Sequence, residues 1–262
     1  MLGTLPTAPG LAIVGARSAD PYGLELAGRV AQSAVQRGLS VISGGAFGID
    51  AAAHRAALAA GGHTTVVLGS GLEKLAPATH RGLFHQVLTA GGALVSPFPC
   101  GQGAAPWTFP RRNPWIAGLA RAVVVVQAGA RSGTLYTARA ALAAGIPVFA
   151  VPGPLDSPLH AGCHLLVGEG ARLLTAVDAW QVGGARPAAA AKAPRPSAAS
   201  PPPFGEALWQ AAGAEPRVLA ELAADAGLSA PEALALATEL ELSGWLRAAP
   251  GGRYARAVPE ED

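Results

Sequence analysis

Apolar residues in the first two thirds of the chain fall in short continuous runs rather than in alternation. The runs are LAIVG (11–15), LSVIS (39–43), TTVVLG (64–69), ALVS (93–96), AVVVVQ (122–127) and PVFAV (147–151). Runs of this length and character predict parallel strands covered on both faces. Between them, helical patterns occupy 22–37, 50–60, 79–90, 114–120 and 134–144. Gly38, Gly61, Gly91 and Gly145 stand where a left-handed residue closes a helix. This alternation predicts an α/β fold, a Rossmann-like doubly wound and mostly parallel sheet.

The pattern breaks at Gly183. From there to Pro203 the chain is rich in proline and alanine with no apolar period, which predicts a linker. Beyond it, helical patterns at 204–213, 217–226 and 230–243 precede WLRAAPGGRYARA (245–257), a hairpin turning at Pro250-Gly251-Gly252. Ser229 and Glu232 form a capping box for the third helix. Three helices and a hairpin predict a small winged helix. The expected division is thus a core at 1–182, a linker at 183–203 and a winged-helix domain at 204–262.

Charge separates the two parts. Residues 1–203 carry 15 Lys and Arg against 7 Asp and Glu, whereas residues 204–262 carry 4 against 10. The first part suits a polyanion and the second repels one. The third helix of the tail has three glutamates and no cation, which disfavours ordinary duplex readout and favours protein contact or packing. Two cysteines imply no disulfide framework, so a cytoplasmic location is expected. No apolar run approaches the roughly 20 residues of a membrane helix, and no signal peptide is evident.

In an open parallel sheet the strand-to-helix loops share one edge, where ligands bind. Here those loops are glycine-rich, or contain a cation, and place Arg17, Lys74, Arg111, Arg112 and Arg131 on one expected rim. Glycines admit backbone amides to an oxyanion, helix N-termini add a favourable dipole, and guanidinium forks match phosphate. Gly15, Ser43, Gly44, Gly45, Gly71, Leu72, Asn113, Ser132 and Gly133 complete the candidate surface. Cations spread over several loops suit successive phosphates better than one small ligand. Asp20 and Asp50 are read as helix caps; Trp107, Phe109 and Trp115 flank Arg111 and Arg112 and could stack bases, with burial of Trp115 and Phe109 beneath the loop the favoured reading. The apolar segments 134–144 and 147–151 suit either core or a homodimer surface.

Catalytic patterns are incomplete. There is no Walker A run, and VGARSADPYG lacks the full dinucleotide glycine motif. Asp50 and His54 could join Ser43 in a hydrolase-like set, but a cap plus a surface or satisfied histidine is the favoured reading. His160, Cys163 and His164 lack an evident fourth metal ligand. No catalytic residue, metal or cofactor is therefore assigned.

AIVGAR followed by PYG, SGGAFGIDAAAHRAAL, GGHTTVVLGSGL, FPRRNPWIAGLA, SGTLYTARAALAAG, VFAVPG and GCHLL resemble the DprA (DNA-processing) family in order and spacing. The match covers about 11–180, and LATELELSGWLRAAPGGRYAR is similar to that family's winged helix. The resemblance implies a dimeric protein without established catalytic activity. It would bind single-stranded DNA and load the RecA recombinase during natural transformation. It points to Arg17, Gly71, Leu72 and Lys74 for DNA, and makes Arg112 a structural or phosphate-binding candidate. Asn113 is a site candidate that could equally cap the next helix. Departures are Phe47 and Pro114 where the family usually has arginine, and Pro97 and Gln127 where glutamate is common.

Two alternatives compete. A nucleotide phosphoribohydrolase of the LOG type carries Gly-Gly-x-Gly-Thr-x-x-Glu, and the nearest piece here, Arg131 to Thr134, lacks the glutamate. A winged-helix regulator is disfavoured by the acidic third helix.

Overall fold

The computed structural model describes residues 1–180 and 205–257; the expected linker lies outside them. The chain divides into two compact units, Met1–Pro187 and Ala188–Asp262.

In the first unit a parallel sheet runs through β2 (Gly10–Val14), β3 (Ser40–Ser43), β4 (Thr64–Val67), β5 (Ala93–Val95), β6 (Ala122–Val125), β7 (Val148–Ala150) and β8 (Arg172–Leu173). A short β1 (Leu2–Gly3) pairs antiparallel with β5 at one edge. The spatial order is β1-β5-β4-β3-β2-β6-β7-β8. Helices α1 (Pro21–Gln36), α2 (Ile49–Ala59), α3 (Arg81–Thr89), α4 (Thr108–Leu119), α5 (Thr134–Ala143) and α6 (Ala161–Gly168) connect the strands. All five residues of β2 are buried. Leu11 and Ile13 join the cluster beneath α1 and α2, and Ala12 and Val14 join Ile116, Leu135 and Leu166 on the opposite face. Both faces are covered, which is why the strands read as unbroken apolar runs.

The chain builds outward from β2 to β5, returns through α4, and then builds from β6 to β8. The loops after β2 and β6 therefore part from each other, creating a topological switch point.

Several local expectations are corrected. The helix expected at 114–120 begins at Thr108, six residues earlier. Pro114 suits a first turn, but here it sits in the helix interior, where the acceptor it leaves is the carbonyl of Pro110. α6 and β8 were not anticipated, because glycines interrupt the apolar pattern of AGCHLLVG. Strand β7 lies inside the sheet between β6 and β8, and α5 buries Leu135, Ala138 and Ala141. Those segments are mainly core, while Leu165 of α6 and Leu173 of β8 are about half exposed.

The second unit contains α7 (Glu206–Ala211), β9 (Arg217–Val218), α8 (Leu219–Asp225), α9 (Ala230–Leu242), β10 (Leu246–Ala249) and β11 (Arg253–Arg256). The hairpin turns at Gly251 and Gly252, both at positive φ, and β9 completes a three-stranded sheet. The Ser229–Glu232 capping box is present. Leu208, Leu222, Leu240, Leu246 and Tyr254 form the core.

Candidate nucleic-acid interface

At the switch point a cavity of about 770 Å³ opens between the loops after β2 and β6. Gly15, Ala16, Arg17 and Ser18 line one side, and Ser132, Gly133, Thr134 and Thr137 line another. Ala104, Ala105, Pro106 and Phe109 come from the chain leading into α4. The β2 loop is tightly held: Ala16 N donates to Gln127 O (2.7 Å), and Ile49 N donates to Ala16 O (3.2 Å). Gly48, at φ +70°, passes so close that a Cβ would lie 2.3 Å from Ala16 O. Gly15 is likewise required, because a Cβ there would meet Ile49 and Gln127 O within 3 Å.

Arg17 stands exposed on this fixed base with its guanidinium 4.8 Å from the centre of the Phe109 ring. The cation and the aromatic thus share the cavity mouth, an arrangement able to meet both a phosphate and a base. Phe109 is only partly buried and Trp115 is 51% exposed, so neither is buried beneath the loop as expected.

Arg112 does not sit on the rim. Because Phe109–Asn113 are helical, Arg111 and Arg112 point about 100° apart. Arg111 turns outward over Trp107, 5.9 Å from its ring centre. Arg112 is 4% exposed and donates to Gly44 O, Val67 O and Asn113 Oδ1. Desolvation lowers its pKa to about 10, against the pull of Asp50, so it stays charged at neutral pH. These contacts are those of the structural role, and the side chain also lines the cavity. Asn113 is mid-helix rather than a cap, and its Nδ2 donates to Gly133 O (2.9 Å), tying α4 to the start of α5.

Other sequence candidates turn inward. The Ser43 hydroxyl donates to Ile13 O (2.6 Å), which removes it from any hydrolase-like set. Gly44 and Gly45 are buried, and a Cβ at Gly44 would lie 2.5 Å from the Arg112 guanidinium. Gly71 is also buried, closing against the next loop within 2.1 Å of Pro99 O were it to carry a Cβ. Leu72 packs against the cluster of Val66, Leu68, Phe84 and Leu94, so it is not a free platform for a base. Lys74 and Arg131 are exposed on loops of the same sheet edge but do not line the cavity.

The acids divide as well. Asp20 caps α1, accepting from Gly23 N (2.8 Å), and that bond holds its pKa low. Gln127 donates to the same carboxylate and accepts from Asp20 N, a double task that a neutral amide can perform. Asp50 is not a helix cap; Gly48 takes that position. It accepts instead from Gly44 N (3.1 Å) and Ala46 N (3.3 Å), and burial raises its pKa against the nearby Arg112 charge. Cys163 Sγ lies toward Val125 O and Val126 O, while His164 Nε2 faces Gly153 O.

His54 is fully buried against Thr64. The Thr64 hydroxyl donates to Val41 O, so it accepts from His54 Nδ1 and leaves Nε2 as a bare lone pair. Burial holds the His54 pKa down to about 3. The unfolded imidazole titrates near its ordinary value of 6.5, so stability is complete above that pH and falls as pH drops toward the folded value. Melting curves between pH 7.5 and 5 are expected to decline, with a smaller pH slope in His54→Gln. Equal slopes would contradict a buried neutral imidazole.

In the second unit the wing cations are largely engaged. Arg256 donates to Trp209 O and Gln210 O (both 2.9 Å) and lies 4.1 Å over the Trp209 ring. Arg247 reaches Ala214 O, and Arg217 pairs with Asp225.

Fold and site thus define a Rossmann-like core with an anion-suited rim and an appended winged helix. The family model for DNA recombination-mediator protein A matches residues 2–181, and that for the DprA winged helix domain matches 191–252. The chain belongs to the DNA recombination-mediator protein A family. It is 40% identical over 258 residues to Protein Smf of Escherichia coli K12, covering 92% of this chain and 66% of that one. It is also 40% identical over 167 residues to DNA processing protein DprA of Streptococcus pneumoniae R6, covering 64% and 58%. The solved S. pneumoniae DprA has a TM-score of 0.60 at 39% identity, over 65% of this chain and 59% of that one. A Helicobacter pylori DNA processing protein A structure, concerned with its single-stranded DNA binding mode, has the same TM-score at 25% identity, over 65% and 77%. The chain therefore spans just under two thirds of the E. coli relative and less of the pneumococcal one.

Proposed function

We propose that this protein binds single-stranded DNA along the C-terminal edge of the sheet and acts as a recombination mediator rather than an enzyme. The observation that carries the reading is the exposed Arg17 stacked on Phe109 at the mouth of the switch-point cavity. Lys74, Arg111 and Arg131 extend positive charge along the same edge, Ser132 and Gly133 keep the backbone accessible within it, and the buried Gly15 lets the β2 loop close on Ile49 at the cavity wall. Ser43, Gly44, Gly45, Gly71, Leu72, Arg112 and Asn113 contribute by holding these loops in place. The single-stranded DNA binding of the H. pylori relative supports the choice of ligand.

The same reading has the protein protect incoming strands and load a RecA recombinase in the cytoplasm during natural transformation. Among the described residues no helix is long and apolar enough to cross a membrane. A homodimer would cover the half-exposed Leu165 and Leu173 at the β8 end of the sheet. The acidic α9, with Glu232, Glu239 and Glu241, disfavours duplex readout and favours protein contact or a packing role for the winged helix.

Gel-shift titrations with one oligonucleotide, alone and annealed to its complement, test the reading. Single-stranded binding is expected to be about tenfold tighter or more, because unpaired bases can reach the Phe109 ring. Tighter binding of the duplex would favour the winged-helix regulator.

A further inference from the structure

A second cavity, of about 250 Å³, lies at the opposite edge of the sheet from the rim, where the strands begin. The segment from Leu5 to Pro9 crosses that edge as a strap and closes the cavity against Ile42, Thr65, Leu119 and Arg121. We infer that this cavity is a binding site for a small carboxylic acid with an apolar body and a second polar group at its far end. The inference stands apart from the polynucleotide reading, because no residue that lines the switch-point cavity lines this one.

Thr65 marks one end. It is fully buried, it lines the cavity, and its hydroxyl has no hydrogen-bond partner among the described residues. Its direction follows from the strand. Thr64 turns toward α2, where its hydroxyl meets His54 and Val41 O. Thr65 therefore points to the other face. There its register partner Ile42 packs with Ile116 and Leu119 of α4. A buried hydroxyl that no protein group satisfies is costly, and a ligand atom in the cavity would meet it.

Arg121 marks the other end. It directly precedes β6, and its N–H donates to Gly10 O (2.8 Å) where the strap enters β2. From β4 through β3 and β2 to β6 there are three strand spacings, so the backbones of Thr65 and Arg121 stand about 14 Å apart across the sheet. Both residues line one cavity, which is therefore elongated: a hydroxyl at one end, a cation at the other, and Ile42 and Leu119 between. No carboxylate is among its lining residues, so the cation selects an acid and the apolar middle selects an apolar body. At about 30 Å³ per water, the volume is that of about eight waters, room for an acid with a single ring.

The strap is held in shape. Pro6 and Pro9 fix its φ angles, His63 Nε2 donates to Thr4 O (2.8 Å), and Ser40 N donates to Pro9 O (3.0 Å). A Cβ on Gly10 would lie 2.2 Å from Ile42 Cδ1, so only glycine lets the strap enter the sheet this close to the cavity floor.

Calorimetry on the full chain would compare 4-hydroxyphenylacetate with phenylacetate, which lacks the hydroxyl, and with 4-hydroxyphenylethanol, which lacks the charge. Saturable binding of 4-hydroxyphenylacetate is expected, about fivefold tighter than phenylacetate and about tenfold or more tighter than the alcohol. Thr65→Val should abolish the first preference and Arg121→Gln the second, while Thr65→Ser keeps both. The melting temperature of unliganded Thr65→Val should be unchanged or higher, because the deleted hydroxyl satisfies nothing in the protein. A lower one would show that hydroxyl to be engaged within the fold and would overturn the inference. So would failure of both acids to bind, or preferences that survive the two substitutions.

Discussion

Arg17→Ala is expected to weaken binding of a single-stranded oligonucleotide by about ten- to a hundredfold, the worth of one charge-assisted contact to phosphate. The side chain projects from a loop whose backbone is fixed by Ala16–Gln127, Ala16–Ile49 and the Gly48 approach, so removing it leaves the fold in place. It also carries the cation of the Arg17–Phe109 stack, so charge and ring geometry are lost together. The melting temperature should stay within about 2 °C, as for an exposed substitution. Phe109→Leu should cost less, because a leucine preserves apolar contact but not ring stacking. Wild-type affinity in Arg17→Ala would remove the rim from the account.

Arg112→Leu should act oppositely, on stability before affinity. Its guanidinium serves the carbonyls of Gly44 and Val67 and the side chain of Asn113 from a site 4% exposed. Deleting it removes a charged donor from two carbonyls and leaves the buried Asp50 without the Arg112 cation. Removing one partner of a buried charge arrangement costs about 3–5 kcal/mol, on the order of 10 °C in melting temperature for a unit of this size. Adding Asp50→Asn should recover part of the loss, since the carboxylate no longer needs a counter-charge. A double variant as unstable as the single one would show that the carbonyl contacts alone matter.

The strands were legible because a strand covered on both faces is buried throughout; β2 and β6 are apolar along their length, while β3 and β4 are equally buried but include serines and threonines. The shared loop edge followed from their parallel direction, whereas the switch point depends on the spatial strand order. Side-chain destinations were less legible. Arg111 and Arg112 are adjacent in sequence, and only the early start of α4 sends one to the surface and the other into the core. Leu72 and Ser43 sit in glycine-rich loops that look like ligand loops, yet packing takes the first and the Ile13 carbonyl takes the second. Thr137 was overlooked because it lies inside an ordinary helical pattern. Its signal is its spacing, one turn after Gly133 on the face toward the cavity.

The winged helix was legible as a fold and less so as a surface. Three of its four arginines lie on the hairpin, but Arg256 and Arg247 bind carbonyls of their own unit. The helix that reads DNA in such folds presents glutamate instead.

The most direct measurement is the affinity of the purified protein for an unpaired oligonucleotide at several salt concentrations. Engagement of several phosphates along the sheet edge predicts saturable binding whose logarithm falls linearly with the logarithm of salt, with a slope of magnitude about 2 or more. A protein that ignores unpaired DNA even at low ionic strength, or binds it without salt dependence, would contradict the account.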